Sequence, residues 1–274
     1  MGCRNAIFPI AAALVLAMSS FTAAGADTAA VSAAAASLPL SSSQSNATEG
    51  VRFVVGNDLW QPGKSYRNSI DWLALNCTRD GCAFEPAKLT VRAEKWQGHY
   101  DDEAQAGQKL AFAKGKPGPG KVVAWFQPDA KYPWLKPGPV TTYASSAMRI
   151  KRPATEGTLE LAVDLPNGQQ ATLVPLLDRS QDLFRLQLRT AARRQMLGSL
   201  GGCSRMVSVD YLLWAGDFDG DGRPDYLISF VDAEGEVLLY LGGAAAANDL
   251  VGIAGIYEAP PYGGECDGEG WLVR

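Results

Sequence analysis

The chain has 274 residues, 47% of them hydrophobic and 20% charged, enough apolar side chains for one large core or two small ones, which excludes a wholly disordered chain. Its 29 Gly and 16 Pro follow no Gly-x-y period, which excludes a collagen-like array and points to a turn-rich β protein. A formal charge of −4 supplies no field for gripping nucleic acid, and a single His removes most zinc, haem and His-relay chemistry.

The first segment reads as an address. Arg4 precedes a 13-residue apolar run over 6–18, too short to span a bilayer and suited to the core of a secretory signal. Ala24, Gly25 and Ala26 supply the small-x-small cleavage pattern, so a signal peptide over 1–26 is expected, and the mature form carries no membrane span. Cys3 lies ahead of the apolar run, where a lipid-bearing Cys would not stand. Cleavage removes Arg4 and no acid, so the balance moves from 25 − 29 to 24 − 29, or −5. Residues 27–48 hold 7 Ala and 6 Ser in 22 positions with no aromatic side chain, too little to offset the entropy of ordering them. A flexible Ala/Ser-rich leader over 27–50 is therefore expected, followed by a β-rich region over 51–200 and a C-terminal region over 201–274 packed on it.

The fold class expected is mainly β, built of antiparallel hairpins and disulfide-stapled, with a few short helices. Alternation predicts a strand over 51–55. Strands over 72–77 and 82–84 flank Thr78, Arg79, Asp80 and Gly81, an Asp-Gly turn that accepts positive φ, and 89–93 can continue the pairing. A second hairpin alternates over 159–165, turns at Asn167 and Gly168, and returns over 171–174. Further strands are expected over 121–126, 183–188, 207–214, 226–231 and 237–241. Helix signals are confined to parts of 102–113, 191–197 and 244–250. No period of 20 to 50 residues recurs, so a complete propeller or solenoid is not expected.

Four Cys remain after signal removal, and four allow three pairings. The Asp80-Gly81 turn brings Cys77 and Cys82 into bridging range, which leaves Cys203 with Cys266. Zinc is not expected, because no paired C-x-x-C spacing exists and His99 is distant in sequence.

The most informative stretch is Gly216, Asp217, Phe218, Asp219, Gly220, Asp221, Gly222, Arg223, Pro224, Asp225. Acids at the first, third, fifth and ninth positions place Asp217, Asp219, Asp221 and Asp225 around one turn, with the backbone carbonyl of Arg223 at the seventh. Hard oxygen donors on a flexible loop suit Ca²⁺, and Gly220 and Gly222 let the chain turn sharply enough to aim them inward. A helix-loop-helix hand is excluded, because the twelfth position is Ile228 rather than a bidentate Glu, and the flanks read as strands.

With those flanks, residues 207–243 resemble the strand, Asp-loop, strand unit of FG-GAP/VCBS-type calcium-binding repeats, found in integrin-like propellers and many exported bacterial proteins. The resemblance implies Ca²⁺ ligation by Asp217, Asp219, Asp221 and Asp225 and by the carbonyl of Arg223. It covers one unit, whereas a propeller needs several.

Charge is unevenly spread. Residues 109–152 hold nine basic side chains (Lys109, Lys114, Lys116, Lys121, Lys131, Lys136, Arg149, Lys151, Arg152) against Asp129, and residues 203–274 hold 13 acids against three bases. The basic stretch, interleaved with Trp125, Phe126, Tyr132 and Trp134, could grip an anionic envelope glycan or another envelope protein, although such aromatics also build cores. Catalysis is not expected. His99 has only Asp101, Asp102 and Glu103 beside it in a loop, and no Gly-x-Ser-x-Gly elbow exists. Three readings follow: an exported, periplasmic or extracellular, non-enzymatic β protein with one structural calcium site; a glycan-binding or inhibitor module; and a hydrolase, for which no pair of acids is marked.

Overall fold

The computed structural model describes residues 50–63, 65–97, 103–115, 119–146, 160–180, 183–200, 211–230 and 235–259. The expected signal and most of the leader, His99, Cys203, Cys266, Lys116, Arg149, Lys151 and Arg152 lie outside them.

The described residues form fifteen strands: β1 (Phe53–Val54), β2 (Leu59–Pro62), β3 (Ser69–Cys77), β4 (Cys82–Trp96), β5 (Gln105–Lys114), β6 (Lys121–Phe126), β7 (Gly138–Ser145), β8 (Leu161–Asp164), β9 (Gln170–Asp178), β10 (Leu183–Arg189), β11 (Arg194–Leu200), β12 (Leu212–Asp217), β13 (Asp225–Phe230), β14 (Glu236–Leu241) and β15 (Gly252–Glu258). Every pairing is antiparallel. One sheet runs β1-β6-β3-β4-β7-β12-β13-β14-β15, with β5 also paired to β4 and β2 to β5; the other runs β11-β10-β9-β8. The fold is mainly antiparallel β, as expected.

Both expected hairpins form. Thr78 N–H donates to the Gly81 carbonyl at 2.9 Å, closing the β3–β4 turn. The register sets Cys77 opposite Cys82, their Cα atoms 4.1 Å apart, and the two form the expected disulfide. In the β8–β9 turn, Gly168 N–H donates to the Leu165 carbonyl at 3.1 Å with Gly168 at φ 74°, as an Asn-Gly turn requires.

The three expected helices do not form. Residues 105–114 are strand β5, and 194–197 open strand β11. Residues 244–250 make successive turns, closed by Ala244 N–H to Leu241 and Asp249 N–H to Ala246. The Ala, Gln and Lys content of β5 favours helix locally, but β4 and β2 bond it on both edges, and Leu110 and Phe112 alternate into the core. Tertiary pairing overrides propensity there.

Two apolar cores result. The first is aromatic and lies largely within the long sheet, with Phe53, Trp72, Phe84, Phe112, Trp125, Phe126, Trp214 and Phe218. The second lies between that sheet and the four-stranded one, where Leu161, Val163, Leu173, Leu186 and Leu188 meet Tyr226, Ile228 and Tyr240. Strands β12 to β14 serve both cores: Trp214, Leu227 and Leu239 enter the first, while Ala215, Tyr226, Ile228 and Leu238 enter the second. This two-sided burial explains their almost continuous apolar sequences, because alternation is required only where one face meets water. Strand β7 joins the halves of the long sheet, pairing β4 through Gly138 to Val140 and β12 through Thr141 to Ser145. Its outer strands also approach each other, Val51 N–H donating to the Ala254 carbonyl at 2.7 Å.

Candidate metal centre

Strand β12 ends at Asp217 and β13 begins at Asp225, so the Asp-rich loop is the turn of one hairpin, whose last pair is Gly216 with Asp225. Gly220 and Gly222 adopt φ 73° and 79°, conformations that L side chains rarely take, and these let the loop fold back on itself. Phe218, the second loop residue, anchors the turn. Its ring is buried among Phe84, Phe126, Trp134 and Trp214, with the Trp214 centroid 3.7 Å away.

Each acid organises the loop backbone. Asp217 accepts from Gly220 N–H at 2.8 Å and Gly222 N–H at 3.1 Å. Asp219 accepts from Asp221 N–H at 3.2 Å, and Asp221 from Arg223 N–H at 2.7 Å. Asp225 is fully buried; its two oxygens accept from Phe218 N–H at 2.6 Å and Gly242 N–H at 2.8 Å. Asp217, Asp219 and Asp225 each present a carboxylate oxygen within 4.8 Å of the others, a group that could hold a metal ion.

Of the five residues singled out from sequence, these three converge. Asp221 is exposed, its Oδ2 lying 3.9 Å from Arg223 Nε. Arg223 donates its amide to Asp221 and its Nη1 to the Gly242 carbonyl at 3.3 Å.

The electrostatics reflect carboxylates taken from water. Burial pushes the Asp225 carboxyl up to about 7; the Gly242 and Phe218 amides oppose the shift, and the charges of Asp219 and Asp217 add to it. Asp219 is also raised, by burial first and then by Asp221 and Asp217, against the hydrogen bond from the Asp221 amide. The Tyr143 hydroxyl is raised by burial and by the charges of Asp217, Asp225 and Asp221, which places it beside the cluster.

Two parts of the site are remote in sequence. A Cβ added at Gly243 would lie 2.8 Å from Asp221 Oδ2 and 3.1 Å from Asp219 Oδ2, so the chain leaving β14 cradles the loop only because glycine stands there. Tyr143, on β7, lines a groove of about 320 Å³ with Leu165, Pro166, Asn167, Gly222 and Pro224, between the loop and the β8–β9 turn. The Gly242-Gly243 pair directly after an apolar strand was the available sequence signal for the cradle; Tyr143 had none.

In the basic segment, Trp125 and Phe126 are core residues, and Tyr132 and Trp134 pack against the same core. No helix among the described residues is long and apolar enough to cross a membrane. The chain matches no protein-family model, no curated protein and no solved structure.

Proposed function

We propose that this chain is an exported, non-enzymatic β-rich protein whose loop over 217–225 binds one structural Ca²⁺, acting as a single FG-GAP/VCBS-type unit. The observation that carries this reading is the convergence of Asp217, Asp219 and Asp225 within 4.8 Å, the last of them fully buried. Like charges so placed repel by roughly 3–4 kcal/mol per pair at an effective dielectric near 20, and a divalent cation reverses the sign of that term. The donor set fits a hard ion. Every side-chain donor is a carboxylate oxygen, with no His or thiolate in the group, which suits Ca²⁺ over softer metals. Asp221 and the Arg223 carbonyl would complete the shell, and Gly243 leaves room beside Asp219 and Asp221. The ion's role would be to neutralise the carboxylates and tie the end of β12 to the start of β13. Export is supported by the Cys77–Cys82 disulfide, a bond that persists in oxidising compartments, and by the signal-like residues 1–26.

Calorimetry and thermal melts of the disulfide-intact protein test the reading. A dissociation constant of about 10⁻⁴–10⁻³ M is expected for an extracellular-type loop, with a gain of about 2.7 kcal/mol at a hundredfold excess over it and poor substitution by Mg²⁺. Asp219→Ala with Asp221→Ala should abolish the shift and leave the β8–β9 hairpin folded. Identical melts in chelator and in millimolar Ca²⁺ would show the loop to be only an acidic turn.

A further inference from the structure

The four-stranded sheet carries an arginine cluster that neither its core nor the Asp loop explains. Leu186 and Leu188 enter the second core, so strand alternation sends Arg185, Gln187 and Arg189 to the opposite face. Register places Arg189 directly opposite Arg194 of β11, and Arg193 follows from the adjoining turn, where Thr190 N–H donates to its carbonyl at 2.9 Å. Like charges directly opposite on neighbouring strands are destabilising.

The acids nearby have other partners. Asp178 lies 3.1 Å from Arg185 Nε, and Asp164 accepts from Gln170 Nε2 at 3.0 Å. Among the described residues, Arg189, Arg193 and Arg194 have no carboxylate within salt-bridge distance. Gln187 Oε1 accepts from Arg189 Nε at 2.6 Å, which fixes that side chain, and among the described residues no hydrogen bond or ion pair engages its terminal nitrogens. Arg193 and Arg194 are exposed.

We infer that this face, centred on Arg189 and Arg194, binds a carboxylate-bearing polysaccharide, a polyuronate. Guanidinium forks pair bidentately with planar carboxylates, and two opposed across a ladder can engage successive acidic sugars. Thr172, opposite Arg189 on β9, and Gln187 line the same face and offer hydrogen-bonding groups for sugar hydroxyls. Among the described residues this face has no aromatic side chain for stacking nucleic-acid bases, since Phe184 packs on the second core. A membrane surface would need an apolar face, whereas among the described residues Met196 is the only large, well-exposed apolar side chain on this face.

The test is binding of the full chain to polygalacturonate, in chelator so that Ca²⁺ neither crosslinks the polymer nor occupies the Asp loop. Neutral dextran, duplex DNA and phosphatidylglycerol vesicles serve as comparisons. Binding to polygalacturonate alone, weakening as salt rises from 50 to 300 mM by about tenfold or more, is expected. Arg189→Gln with Arg194→Gln should weaken it at least tenfold, while Lys88→Gln with Arg92→Gln, exposed on β4, should not. The melting temperature of Arg194→Gln should equal or exceed that of the wild type, since one of two opposed charges is gone; a clear fall would mark the pair as structural and overturn the inference. No preference for polygalacturonate over dextran, equal binding by the arginine double variant, or equal or tighter binding of DNA or vesicles would also overturn it. None of these outcomes depends on whether the Asp loop takes Ca²⁺.

Discussion

Titrating the chelated protein from pH 4.5 to 8 should lower its stability through Asp225. An unfolded Asp titrates near 3.9, whereas burial pushes this carboxyl up to about 7 in the fold. Between those values the native chain holds a proton that the unfolded chain has released, so rising pH removes stability until the native carboxyl also ionises. About three pH units at roughly 1.4 kcal/mol each set a ceiling of about 4 kcal/mol. Other acids titrate over the same range, so urea midpoints of the wild type are compared with those of Asp225→Asn. That variant keeps one acceptor for the Phe218 and Gly242 amides, and whatever it costs is constant with pH. In chelator the wild type should lose stability relative to the variant as pH rises toward 7 and then level off. In Ca²⁺ the relative slope should vanish or reverse, because the ion selects the ionised carboxylate and its binding releases the proton. Parallel wild-type and variant curves in chelator would show that the fold does not hold Asp225 protonated.

Phe218→Ala should cost about 3–5 kcal/mol in urea unfolding, because the ring is buried among four aromatic side chains, and calorimetry should find weaker Ca²⁺ binding as the loop loses its anchor. Cys77→Ser with Cys82→Ser should cost about 2 kcal/mol in the chain-entropy model, since the bridge closes a loop of sequence separation 5 only; the same loss should follow reduction of the wild type.

What the sequence made legible was local. The two hairpins were readable because alternation and an Asp-Gly or Asn-Gly turn act within a dozen residues, and the Asp loop because its acids are two to four positions apart. Strand β5 was not readable, since its helix-favouring residues are overruled by partners on β2 and β4. Strand β15 carries Gly252 and Gly255, which weaken a strand pattern; yet a Cβ at Gly255 would strike the Val51 carbonyl, so the glycine is demanded by a contact 204 positions away. Strand β7 begins Gly138-Pro139, a turn-like dipeptide that its pairing with β4 overrides. The burial of Asp225 was hidden for the same reason. Its second amide donor, Gly242, stands 17 positions away in sequence.

That enclosure bears on what an ion would do here. Strands β12 and β13 are covered on both faces, so the hairpin they form must turn where a carboxylate at the start of β13 is already cut off from water. Two backbone amides orient Asp225 but leave its charge in place, and burial outweighs them, as the raised pKa indicates. Near neutral pH the metal-free fold must therefore carry on this residue either a buried charge or a retained proton, and each has a cost. A divalent cation shared with Asp217 and Asp219 would remove both. It would act beside the seam where β7 passes the sheet to β12, so its loss would loosen the centre of the fold rather than free a surface loop, which argues for a structural ion over a regulatory one.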